Sequence, residues 1–121
     1  MVAYSAMRKA LESQYIGTCD IVEKQAYKKA NKSTGFKEVT VIQNQPCKLS
    51  FSRIANNAQG ETAANVLQVV KVFLSPEINV KPGSKLIITQ NGRTTEYQNS
   101  GEPAVYRTHQ EIILELFEGW A

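Results

Sequence analysis

A chain of 121 residues with 42% hydrophobic and 21% charged side chains has the balance of an ordinary globular protein, which excludes a disordered one. Its formal charge of +3 is too mild to demand a nucleic-acid partner. The charge is uneven, however: residues 1–54 hold nine Lys/Arg against four Asp/Glu, and residues 55–121 hold five against seven, which suits a subunit meeting a differently charged surface at each end.

Tyr4, Met7, Leu11 and Tyr15 recur at helical spacing, which predicts a short amphipathic helix from Ser5 to about Gln14 within an N-terminal segment of residues 1–16. No basic region followed by an apolar run heads the chain, so no signal peptide is expected. After Gly17 the period changes. Residues 19–24 begin a strand and residues 36–42 return it, with a polar, lysine-rich hairpin tip at 28–35. Asn44-Gln45-Pro46 is expected to break the chain before a third strand at 47–51, since Pro46 has no amide donor.

The next segment differs from its surroundings. Ser52, Arg53, Ile54, Ala55, Asn56, Asn57, Ala58, Gln59, Gly60, Glu61, Thr62, Ala63, Ala64 and Asn65 are mostly small or polar and lack periodicity, which predicts a long flexible loop. A loop of that length inside a compact domain is usually functional or disordered. Residues 66–74 are the most β-prone run in the chain, and their near-continuous apolarity marks a central strand. Short strands then follow at 86–89, 94–97, 105–108 and 111–117. The turns between them are Lys81-Pro82-Gly83-Ser84, Asn91-Gly92 and Ser100-Gly101-Glu102-Pro103. Seven or eight short strands with no long helix predict a mostly β, single-domain fold over residues 1–121, a small antiparallel barrel or sandwich.

Little in the chain points to catalysis. His109 is the only imidazole base and sits at a turn, and no Gly-rich phosphate loop occurs. Cys19 and Cys47 form no CxxC pair and are expected to be reduced, half-buried thiols. No enzyme activity, metal or cofactor is therefore expected, and no apolar stretch is long enough to span a bilayer. Two features suit assembly. Lys28, Lys29 and Lys32 crowd the first hairpin, where they could face an acidic protein surface or DNA. Phe117 and Trp120 lie near the C-terminus, where large apolar residues either fold back on the core or anchor a partner, Trp120 being the better anchor. An OB-like binder of single-stranded nucleic acid, using Tyr27 and Phe36 among those lysines, is the alternative of a different class.

Three stretches together resemble the head-closure proteins of long-tailed phages, also called stopper, head-completion or head–tail joining proteins. They are the turn from Ile78 to Leu86, the hairpin from Asn91-Gly92 to Tyr97, and the segment from Tyr106 through His109-Gln110-Glu111-Ile112 to Leu114. Longer strings are similar to prophage structural proteins of Gram-positive bacteria: residues 44–51, 99–106 and 114–121. The chain departs from the commoner pattern at Ser84, where an Asp often follows the turn glycine. The resemblance implies a small β-barrel made in the bacterial host cytoplasm. It further implies assembly at the virion's head–tail interface as a twelve-fold homo-oligomeric ring beneath portal and adaptor proteins. The ring would close the DNA exit channel after packaging and offer the tail a docking surface. The loop at 52–65 would project into the channel, with non-specific contact to packaged DNA. A minor capsid or tail-completion role is the neighbouring alternative.

Overall fold

The computed structural model describes residues 2–55 and 66–120. Helix α1 (Val2–Glu12) precedes seven strands: β1 (Gly17–Lys28), β2 (Thr34–Ala55), β3 (Val66–Leu74), β4 (Lys85–Gln90), β5 (Arg93–Asn99), β6 (Ala104–Val105) and β7 (Gln110–Leu116). Every pairing is antiparallel. The strands follow the order β3-β2-β1-β4-β5-β7-β6, and β3 pairs again with β7, so the sheet closes on itself. The expected mostly β barrel with one short N-terminal helix is what the chain forms.

The core follows from alternation. Each strand sends every second side chain inward: Cys19 and Ile21 from β1, Cys47 and Leu49 from β2, Val72 and Leu74 from β3, Leu86 and Ile88 from β4, Tyr97 from β5, and Ile112 and Leu114 from β7. Val80, from the connection between β3 and β4, joins them. Burying an aliphatic side chain of this kind contributes about 1.5–3 kcal/mol before chain entropy is counted. Cys19 and Cys47 are free thiols and fully buried rather than half-buried. The hydrogen bond with Cys47, and then burial, hold the Cys19 thiol far above its ordinary value, so it is an inert part of the core.

The largest departure from expectation is β2. Asn44-Gln45-Pro46 does not break it: β2 is one strand of 22 residues, about 70 Å along its contour at ~3.3 Å per residue. The irregularity is absorbed as a bulge. The register slips between Cys19↔Gln45 and Ile21↔Ile42, and Asn44 takes a left-handed φ of 55°. Its amide donates to Asp20 Oδ1 at 2.8 Å, so the displaced backbone keeps a partner. Ser52, Arg53, Ile54 and Ala55 also belong to β2, pairing with Val69, Gln68, Leu67 and Val66, so the segment read as a loop starts later than Ser52. Asn56 to Asn65 lie outside the described residues.

No residue of β2 pairs with both neighbours: residues 34–47 pair with β1 and residues 48–55 with β3. Just beyond the start of β1, the backbone of Leu49 lacks a strand partner on that side, and a side chain fills the gap. The Leu49 amide donates to Gln90 Oε1 at 2.8 Å, and Gln90 Nε2 donates to the Leu49 carbonyl at 3.3 Å. Gln90 thus joins β4 to β2 in place of a missing stretch of β1.

The remaining elements shift modestly. The helix begins at Val2 and ends at Glu12, a little ahead of the expected span. Leu11 and Tyr15 are half-buried while Met7 is exposed, so the helical segment docks through its C-terminal end. Of the strand expected at 105–108 only Val105 pairs, with Gln110, and it is joined by Ala104, which pairs with Glu111. Asn91 and Gly92 both take positive φ (55° and 78°), as their hairpin requires.

Candidate assembly surfaces

β1 pairs with β4 only through Thr18–Val22, whereas its pairing with β2 continues to Lys28↔Thr34. Residues 23–28 and 34–39 therefore form a two-stranded ribbon that runs past the closed barrel. At the other end of β2, Ser52–Ala55 with Val66–Val69 form a second overhang, because β3 meets β7 only from Val70 onward. The two overhangs occupy the two ends of one strand.

The first ribbon is basic. Lys28, Lys29 and Lys32 are exposed at its tip, which is narrower than the expected 28–35: the Lys29 amide donates to the Ser33 carbonyl, and the Lys32 amide to the Lys29 carbonyl, both at 2.9 Å. Asn31 Oδ1 accepts from the Ser33 amide at 3.1 Å and its hydroxyl at 2.7 Å, an Asx turn that shapes the tip. Two further lysines lie along the ribbon. Lys24 Nζ sits 5.0 Å from the centre of the Phe36 ring, and Lys37 Nζ sits 5.5 Å from that of Tyr27. Gly35 lies opposite Tyr27, where a Cβ would fall 3.0 Å from the ring, so glycine gives the ring room to approach the backbone.

The second overhang begins beside an open apolar mouth of the barrel. Phe51 and Leu116 continue the inward-facing rows of Leu49 and Leu114, yet they are 54% and 62% exposed because no further strand covers them. With Gln90, Asn91, Arg93 and Tyr97 they border a cavity of about 410 Å³. Sequence reasoning ended the third strand at Phe51 and missed this mouth; the signal available was the run of inward apolar positions outlasting its neighbours. Ser52 and Arg53 are exposed at the same place.

Phe117 and Trp120 are half-buried on the outside of the barrel. The Phe117 amide donates to the Glu96 carbonyl at 3.1 Å, which turns the tail across the sheet. The two rings meet edge to face at 5.1 Å and enclose the Lys85 ammonium, 5.0 Å from Phe117 and 5.8 Å from Trp120. Trp120 Nε1 donates to Glu38 Oε2 at 2.7 Å, and Lys85 Nζ donates to the same oxygen at 3.1 Å. These two bonds, with the Trp120 bond the stronger cause, hold the Glu38 carboxyl below its usual range. Trp120 is thus fastened to its own chain, and the tail it ends binds the root of the basic ribbon to β4.

His109 lies under the end of the helical segment rather than on an open surface. Its ring stacks on Tyr106 at 4.9 Å and tilts against Phe73 at 5.7 Å. Nε2 is 2.9 Å from Glu111 Oε2 and Nδ1 is 3.1 Å from the Thr108 hydroxyl. With Nε2 protonated, the ring donates to the carboxylate and accepts from Thr108. The His109 hydrogen bond chiefly, aided by Lys71, holds Glu111 below the ordinary carboxylate value. Beside it, a cavity of about 140 Å³ is lined by Leu11, Gln14, Tyr15, Lys48, Phe73 and His109. Among the described residues no group of three or more His, Cys, Asp or Glu could hold a metal ion. No helix among them is long and apolar enough to cross a membrane.

No protein-family model matches the chain, and no curated protein does so. Among solved structures, its fold is similar to that of the phage-like element PBSX protein xkdH from Bacillus subtilis, with a TM-score of 0.52 and 15% identity over 87% of this chain and 97% of that one. At that identity the likeness is one of fold alone.

Proposed function

We propose that the chain is a structural component of the phage head–tail interface, acting as one subunit of a ring that closes the DNA exit channel and gives the tail a docking surface. The observation that carries this reading is the fold shared with a phage-like element protein across almost all of that protein's length. The surfaces support it. Two overhangs at opposite ends of β2, one basic and one beside an exposed apolar mouth, give a subunit two unlike faces. Unlike faces make heterologous contacts, which close into a ring when the rotation permits. Small per-copy interfaces then add through multivalency on a common platform. In this reading the partners are portal or adaptor proteins on one side and tail proteins on the other. The second overhang, Ser52–Ala55 with Val66–Val69, faces the channel in this reading.

Deleting the gene from an inducible prophage tests this. The expected product is a population of packaged heads that lose their DNA to nuclease and carry no tails, restored by supplying the chain in trans. Malformed heads would point to a minor capsid role. Heads that keep their DNA beside defective tails would point to tail completion. Either outcome overturns channel closure.

A further inference from the structure

We infer that the basic ribbon is a duplex-DNA contact: its lysines meet the phosphates on the two walls of a groove, without reading sequence. Lys24, Lys28, Lys29, Lys32 and Lys37 stand on one 14-residue stretch, and none of them makes an ion pair among the described residues. The two carboxylates at the ribbon's root are already engaged, Glu23 with Lys81 at 3.8 Å and Glu38 with Lys85 at 3.1 Å. The ribbon therefore presents an uncompensated positive charge.

How the charge is placed separates a groove from a flat acidic protein surface. Strand alternation puts Lys24 and Lys28 on one face with Phe36, and Lys37 on the other with Tyr27, while Lys29 and Lys32 cap the tip. A flat partner meets one face only. A duplex groove meets both, and the major groove, ~12 Å wide, admits a two-stranded β-ribbon. The rings of Phe36 and Tyr27 steady Lys24 and Lys37 above the ribbon surface, so less side-chain freedom is lost when phosphate binds. The Asn31 side-chain amide and the Thr34 hydroxyl add further groups able to donate to phosphate oxygens. Every basic residue here is lysine, a point charge rather than the fork that reads guanine, so no sequence preference is expected.

The test is fluorescence anisotropy of the full chain with a labelled duplex of about 20 base pairs, titrated between about 50 and 200 mM salt. Binding is expected with log–log salt slope on the order of −4, close to −0.9 for each phosphate neutralised, and therefore about 250-fold weakening across that range. Replacing Lys29 and Lys32 by Gln should reduce the slope by about 2, while Lys9→Gln on the helix leaves it unchanged. Replacing all five ribbon lysines by Arg should retain binding, and replacing all five by Gln should lower affinity at least tenfold in a protein whose circular dichroism is unaltered. Three results would overturn the inference: an unchanged slope in the Lys29/Lys32 variant, tighter binding to a single strand of equal length, or equal binding to a polyglutamate peptide of matching charge. The assay uses the isolated chain, so its failure leaves the prophage deletion to judge ring assembly independently.

Discussion

Gln110 shows how one polar side chain can set a connection. It is only 1% exposed, and its Nε2 donates to the carbonyls of Ser75 at 2.8 Å and Ile78 at 2.6 Å, which pins the link between β3 and β4 onto the barrel. Gln110→Leu leaves both carbonyls without that donor, so urea denaturation should show a loss of about 2–3 kcal/mol. Glu111 next to it makes a pH prediction. Its folded value lies below its unfolded one, chiefly through the His109 hydrogen bond, so its contribution is complete above the unfolded value and is lost as pH falls through the folded one. The window thus lies below about pH 4.3. Carboxyl chemical shifts should report the depressed titration, and His109→Ala should move it back towards the ordinary range. Trp120 is the sole tryptophan, so intrinsic emission reports its clasp directly. Glu38→Gln with Lys85→Met should shift that emission to longer wavelength. At this scale the sequence was partly legible. His109 was visible as the lone imidazole and Trp120 as a large apolar residue near the C-terminus, but Phe73, which meets the first, and Glu38 and Lys85, which meet the second, come from strands far away in the chain. Lys85 on β4 and Glu38 on β2 meet only because β1 pairs with both strands, which no local pattern states.

Among the elements, β2 is the instructive one. Asn-Gln-Pro reads as a stop, and as a local signal that reading is sound, because Pro cannot donate to a ladder. Tertiary pairing overrides it: the residues that look like a break are the bulge, and Asp20 supplies the acceptor that the displaced Asn44 amide needs. Asp20→Ala should cost about 1 kcal/mol for this partly exposed bond. Asn44→Gly should be nearly neutral whereas Asn44→Val should cost about 1–2 kcal/mol, since a β-branched residue resists positive φ. Thermal melts of the three variants give the comparison. The hairpin at Asn91-Gly92 was legible for the opposite reason, because its two residues dictate their turn without help from the rest of the chain. The extent of β2 past Ser52 was not legible. Small residues such as Ser52 and Ala55 have weak strand preference and pair with the β-prone Val69 and Val66.

At the scale of the whole molecule, stability depends on closure. The seam where β3 meets β7 joins Val72 to Ile112, both fully buried, and it is the last pairing the sheet needs to lose its open edges. Ile112→Ala should cost about 2–5 kcal/mol. Unfolding followed by circular dichroism and by tryptophan emission should remain coincident, because no strand of the ring can leave without opening it. That the chain is mostly β was legible from alternation and turns; that the sheet closes was not, since closure depends on registers between distant strands. The two overhangs add a mechanical consequence. Because both belong to β2, tension applied at the lysine-bearing tip travels to the far ribbon along covalent backbone, with no hydrogen bond in series to yield first. A tug from whatever grips one extremity is thus passed towards the other, less the share that the lateral bonds give to the wall, as along a single cord threaded through the barrel.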